Sequence, residues 1–253
     1  MTLSLDKVGK NFGGLAALAD VTFQANPGEI LGVIGPNGAG KTTLFNLITG
    51  VLLPSSGTIR YNDQSIVGLK PHQINGLGVA RTFQNIRLFS QLSVLENVMV
   101  GAHSRTKAGL WQGLWRTKEQ RGEEAAIRKN ALSMLELTGI RAEQNELAGA
   151  LPYGKQRRLE IARALASDPK LVLLDEPAAG MNEKETEDLR HLIGEIRQMG
   201  KSTILIEHDM HLMMNLCDRL VVLNFGQKIA EGSPESIQEN PAVIEAYLGK
   251  EDA

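Results

Sequence analysis

The residues Gly35-Pro-Asn-Gly-Ala-Gly-Lys-Thr-Thr43 stand between an apolar run, Ile30 to Ile34, and a segment in which Leu44, Leu47 and Ile48 recur at helical spacing up to Gly50. The first segment reads as a strand and the second as a helix. A chain that breaks a strand at a glycine-rich loop of spacing G-x-x-x-x-G-K-[ST] and re-emerges as a helix is built to hold phosphate. Gly35, Gly38 and Gly40 lack the Cβ that would keep backbone N–H groups from turning onto phosphate oxygens, and Pro36, Asn37 and Ala39 complete the cradle. Lys41 brings a point charge to the outer phosphates, Thr42 a hydroxyl for Mg²⁺, and Thr43 closes the loop as the helix begins, with its positive dipole end inward.

The 253 residues suit one elaborated domain or one domain with a subdomain, and an apolar fraction of 42% with 22% charged residues excludes a disordered or fibrous chain. A net charge of -2 gives no compositional case for nucleic acid. The one cysteine, Cys217, has no partner for an internal disulfide and reads as a small buried apolar residue. The start, MTLSLDKVGK, mixes charges where an export leader needs an apolar core, so a cytoplasmic protein is expected. No apolar run approaches the roughly 20 residues that cross a bilayer. Any membrane role must therefore come through docking onto another protein.

Strand patterns recur at Leu3, Leu5 and Val8, at Val21 to Phe23, at Thr58 to Tyr61 and at Val79 to Phe83. From about Val94 to Leu147 the pattern is helical and polar, which predicts a helical subdomain over about 94–150 between core segments 1–93 and 151–253. Leu171 to Leu174 and Thr203 to Ile206 are continuous apolar runs of the kind covered on both faces, so the core is expected to be α/β with a parallel central sheet. From Leu220 two short strands and two short helices are expected.

Further polar residues stand at strand ends. Asp175 and Glu176 close the run Leu171 to Leu174; beside a phosphate loop, Asp175 suits Mg²⁺, held through water, and Glu176 suits orienting and deprotonating an attacking water. Gln84 follows the strand at Val79 and is placed to reach Mg²⁺ and that water; His208 follows Ile204 to Glu207 and is placed to bond a γ-phosphate and steer Glu176. Glu207, His208, Asp209 and His211 are not read as a metal cluster, since no second cluster or cysteine pair supports one. LPYGKQRRLEIARAL, Leu151 to Leu165, predicts a helix from about Lys155 with Leu159, Ala162 and Leu165 on one face. Its N-terminus points dipole and amides at an anion, redundant beside Gly35 to Thr43 unless it faces a neighbour's phosphates.

In these residues the chain resembles the ABC ATPase superfamily over nearly its whole length. Phe12 matches the aromatic that stacks on adenine, Gly35 to Thr43 the Walker A loop, Gln84 the Q-loop and Leu151 to Gln156 the signature. Leu171 to Glu176 matches Walker B, Ala179 to Asn182 the D-loop and His208 the switch histidine. The resemblance implies a P-loop NTPase domain with a mixed core sheet, an antiparallel β subdomain and an inserted helical subdomain, binding ATP and Mg²⁺. It also implies a head-to-tail pair of like or unlike ATPase subunits. Leu151, Pro152, Tyr153, Gly154, Lys155 and Gln156 would then contact the partner's ATP.

Within the superfamily the chain is similar to the branched-chain amino-acid importer ATPases, through FGGLAAL near Phe12, RTFQNIRLF from Arg81, the segment with Trp111 and Trp115, DEPAAGMN, IEHDM and the ending NPAVIEAYLG. This implies integral membrane permease subunits, an indirect link to a substrate-binding protein, and a peripheral place on the cytoplasmic face of the cell membrane. A groove for a permease helix is expected near Gln84 and Asn85 to Met99, and Trp111 and Trp115 read as subdomain core or as part of that surface. An export ATPase of the lipopolysaccharide type is the alternative within transport. A soluble ABC ATPase of repair or translation would usually carry a coiled-coil insertion or two fused domains. Two departures stand out: Pro152 replaces the usual signature serine, removing a hydroxyl and an N–H, and Asn182 replaces the usual D-loop aspartate.

Overall fold

The computed structural model describes residues 2–102 and 118–248. Trp111 and Trp115 lie outside them. Strands β1 (Leu3–Phe12), β2 (Leu15–Ala25), β4 (Ser56–Tyr61) and β5 (Gln64–Ser65) form an antiparallel sheet in the order β2-β1-β4-β5. The larger sheet has the order β10-β9-β3-β8-β7-β6, from β3 (Ile30–Ile34), β6 (Val79–Arg81), β7 (Leu171–Asp175), β8 (Ser202–Ile206), β9 (Arg219–Asn224) and β10 (Gln227–Gly232). All neighbours in it are parallel except the edge hairpin β9–β10. This is the mixed core sheet with an antiparallel companion that the family resemblance implies, its antiparallel pair among the described residues being the β9–β10 edge hairpin.

The continuous apolar runs follow from burial on both faces. Successive residues of a strand point to opposite sides: Leu31, Val33, Leu171, Leu173, Ile204 and Ile206 join helix α1 (Lys41–Ile48) and the antiparallel sheet in one core. Ile30, Ile34, Val172, Leu174 and Leu205 face a second core. Leu159, Ala162 and Leu165 of α5 (Tyr153–Ala166) and Leu189, Leu192 and Ile193 of α6 (Glu183–Gln198) fill that side. Helices α3 (Val94–Ala102) and α4 (Lys118–Leu137) pack on α5, so the signature helix is shared between the core sheet and the helical region.

Two boundaries differ from expectation. β6 ends at Arg81 rather than Phe83, because beyond Thr82 the backbone leaves the sheet and bonds to α5 instead: Phe83 donates its N–H to Glu160 and its carbonyl accepts from Arg157. α5 begins at Tyr153 rather than near Lys155, since the Pro152 carbonyl already accepts from the Gln156 N–H at 3.0 Å and proline's fixed φ of -57° suits the residue before a helix. The tail folds as expected, into β9, β10, α8 (Pro234–Gln238) and α9 (Pro241–Leu248). Short α2 (Pro71–Gly76) and α7 (Met210–Leu216) are the remaining α-helices among the described residues. Cys217 is buried, which pushes its thiol up to about 12.

Candidate active site

Parallel strands deliver their C-terminal ends to one edge of the sheet, where ligands of α/β proteins bind. Here β3 leads into Gly35, β6 toward Gln84, β7 into Glu176 and β8 into His208, in adjacent registers that pair Val33 with Ile206, Asp175 with Ile206 and Arg81 with Leu173. Between them lies a cavity of about 470 Å³. Its floor is Asn37 to Thr43, one wall is Gln84, Glu176 and His208, and its outer rim is Leu15, Ala16, Ala17, Phe225 and Gly226.

The loop has the backbone that its glycines allow. Gly35 (φ +150°) passes so close to the Leu223 carbonyl that a Cβ would lie 2.0 Å from its oxygen, and at Gly40 (φ +102°) a Cβ would meet the Ala17 carbonyl at 2.8 Å. A side chain at either position would push the loop out of place. Lys41 folds back over it, donating to the carbonyls of Gly35 (2.7 Å) and Pro36 (3.0 Å). Burial holds its ammonium below the usual 10.5, against the opposing pull of Glu176 and Asp175.

Glu176 stands at a sharp turn. Its φ of +48° is uncommon for a residue with a side chain, and the reversal directly after β7 aims the carboxylate into the cavity. Gln84 Nε2 donates to one oxygen at 2.7 Å, and His208 Nε2 lies 2.9 Å from the other. Two side chains thus meet on the Glu176 carboxylate: the approach of His208 is the one expected from the sequence, whereas Gln84, expected at Mg²⁺ and the water, bonds Glu176 itself.

Asp175 is 1% exposed and is not in the cavity wall. Its Oδ2 accepts from Arg81 at 2.8 Å, and its Oδ1, although buried, has no protein partner. Arg81 also donates to Asn46 and Thr49 and is flanked by the rings of Phe45 and Phe83 at 5.4 and 5.1 Å. Glu207 is buried as well. Its oxygens take the N–H groups of Ala178 (2.5 Å) and His208 (3.0 Å), tying the segment after Glu176 to the histidine, and burial pushes its carboxyl pKa up. Arg81 and Glu207 are residues that the sequence reading left without a role.

Phe12 is half-exposed at the end of β1, with the Lys10 ammonium 5.1 Å over its ring, and it is not in the cavity wall. Phe225, 88% exposed in the β9–β10 turn, is there instead. None of Leu151 to Gln156 lines the cavity either. Leu151 is buried, Gln156 bonds back to its carbonyl, and Lys155 is ion-paired with Glu143. Asn182, the D-loop departure, caps α6: its side chain accepts the Glu185 N–H and Glu185 returns a bond to its backbone, each at 3.0 Å.

Known proteins resemble the chain in sequence and in fold. The ABC transporter family profile matches residues 18–179, and that of the branched-chain amino acid ATP-binding cassette transporters matches 227–253. The high-affinity branched-chain amino acid transport ATP-binding protein LivG of Escherichia coli (strain K12) is 47% identical over 249 residues, 98% of each chain. BraF of Pseudomonas aeruginosa, of the same description, is 45% identical over 240 residues, 94% of each. Among solved structures, the ADP conformation of an ATP-binding cassette of an ABC transporter superposes with a TM-score of 0.85 at 31% identity, over 99% of this chain and 100% of that one. A dimeric post-hydrolysis cassette bound to ADP and Pi gives 0.78 at 25% identity, over 92% and 98%. The chain belongs to the ABC transporter family, among its branched-chain amino acid ATP-binding cassettes.

Proposed function

We propose that the chain binds and hydrolyses ATP as the motor subunit of a branched-chain amino-acid importer, and that its nucleotide site is completed by a second ATPase subunit. The observation that carries this reading is the convergence of Gln84 and His208 on Glu176 above the loop Asn37 to Thr43. The nucleotide lies along that loop, its phosphates facing the backbone amides and Lys41 and its base toward the rim at Leu15 and Phe225, so that Phe225 rather than Phe12 is the aromatic beside it. Glu176 takes the proton of the attacking water, while Gln84 and His208 hold its carboxylate in line. A magnesium ion suits Thr42, Gln84 and Asp175, because Asp175 keeps a buried oxygen without a protein partner. When bound, it neutralises charge on the outer phosphates.

Leu151 to Gln156 take no part in the chain's own cavity, and the exposed Pro152 and Tyr153 with Gly154 are the part of this stretch that would seal a neighbour's nucleotide. Pro152 offers no N–H, so the amides around Gly154 and the dipole of α5 carry that contact, which favours a paired subunit with a standard signature. No helix among the described residues is long and apolar enough to cross a membrane. The likeness to transport ATP-binding proteins supports a place on the cytoplasmic face, held by permease subunits. A hollow of about 400 Å³ beside α5, lined by Arg87, Phe89, Val100 and Arg163, suits a permease helix and borders the predicted stretch Asn85 to Met99.

The test is ATP turnover by the chain assembled with its permease and second ATPase. A binding protein loaded with leucine, isoleucine or valine should raise turnover, and one left empty should not. In the same assembly Glu176→Gln should bind ATP normally and lose about 10²- to 10⁴-fold in turnover. Wild-type turnover by that variant would remove Glu176 from the chemistry.

A further inference from the structure

The first turns of α5 are fastened to the loop after β6 by a guanidinium with no exposed surface. Arg157 donates to the carbonyls of Phe83 (2.6 Å) and Gln84 (2.8 Å), to the Tyr153 hydroxyl (3.1 Å) and to Glu160 Oε2 (3.0 Å). Glu160, 1% exposed, closes the ring by accepting the Phe83 N–H at 3.2 Å through its other oxygen. The Tyr153 ring lies against Gly180, where an added Cβ would stand 3.3 Å from Cε1, so the segment between Glu176 and α6 touches the same unit. Burying a guanidinium costs more than burying an apolar side chain of its size, and packing alone does not require one. What the planar fork adds is direction: two adjacent carbonyls held at once fix both the position and the tilt of the backbone at Gln84. The Gln84 side chain then reaches Glu176 at 2.7 Å.

We infer that Arg157, with Glu160 and Tyr153, is a positioning residue that carries a shift of α5 to Gln84, so that cleavage at this chain's nucleotide depends on what α5 meets in the neighbour. The inference rests on the two-subunit reading above. A rigid helix and a forked hydrogen bond move together, whereas a loop held only by apolar contacts lags behind the helix. Loss of the fork therefore affects the rate and cooperativity of turnover, and leaves nucleotide binding at Gly35 to Thr43 in place.

The experiment measures turnover against ATP concentration for the assembled transporter. The wild type should give a Hill coefficient above 1, bounded by the two sites. Arg157→Met combined with Glu160→Leu replaces the buried pair with apolar groups of similar size, which commonly preserves stability. It should keep its Tm and its half-saturating ATP within about twofold, while kcat falls about tenfold and the Hill coefficient drops to about 1. A double variant with wild-type kcat and Hill coefficient overturns the coupling and leaves the two-subunit reading standing. A wild type with a Hill coefficient of 1 overturns the coupling, and full turnover by the purified chain without a second ATPase subunit overturns the two-subunit reading. Should the double variant not fold, Arg157→Lys, which keeps the charge beside Glu160 but bonds only one carbonyl, is read by the same two outcomes.

Discussion

Asp175 depends on Arg81, a residue whose place in the sequence gives no hint of the partnership. The two are 94 positions apart and are 1% and 6% exposed, so losing the arginine leaves a carboxylate buried without its cation. Arg81→Met should cost about 3–5 kcal/mol in urea unfolding, and adding Asp175→Asn should recover most of it. Equal stability of the single variant and the wild type would contradict the pairing. Lys41 gives a pH test. Its ammonium is held below 10.5 by burial, and incoming phosphates favour the charged form. Nucleotide binding should therefore take up protons as pH rises toward the lowered value, and affinity should weaken above it. Calorimetry at alkaline pH in buffers of unlike ionisation heat measures this, and identical heats there would contradict it. Lys41 and Glu176 were legible in the sequence because spacing within a short motif defines them. Arg81, Glu207 and Arg157 were not, because each acts on a partner 94, 29 or 74 positions away, and linear spacing carries no trace of such a contact.

Among the elements, α6 gives a purpose to the D-loop departure. Asn182 and Glu185 exchange bonds at its start, a capping box that satisfies two backbone N–H groups. Asn182→Ala should destabilise the fold by about 1 kcal/mol in thermal unfolding, while Asn182→Asp, also a good cap, should leave it nearly unchanged. A larger loss with aspartate than with alanine would contradict the capping role. Strands β7 and β8 were readable because their burial on both faces leaves an unbroken apolar run. β6 was read too long because Phe83 continues the apolar pattern but bonds to Arg157 and Glu160, so packing rather than periodicity ends the strand. The start of α5 was read late because Tyr153 and Gly154 are weak helix formers, and the Pro152 carbonyl overrides that preference by accepting the first helical bond.

For the molecule as a whole, parallel strands bring a phosphate loop and three polar side chains to one edge, and none of Leu151 to Gln156 lines the cavity there. On the proposed two-subunit function, that segment meets the nucleotide of a second subunit. The α/β core was foreseeable from the alternation of apolar strand runs with helical segments, whereas the sharing of α5 between the sheet and the helical region depends on packing that no motif encodes. The measurement that decides is ATP turnover by the purified chain over a wide range of protein concentration, alone and with a second ATPase subunit added. Specific activity should collapse on dilution and return when the second subunit is supplied. A dilute monomer that cleaves ATP at full speed, indifferent to concentration and to added subunits, would contradict the shared site.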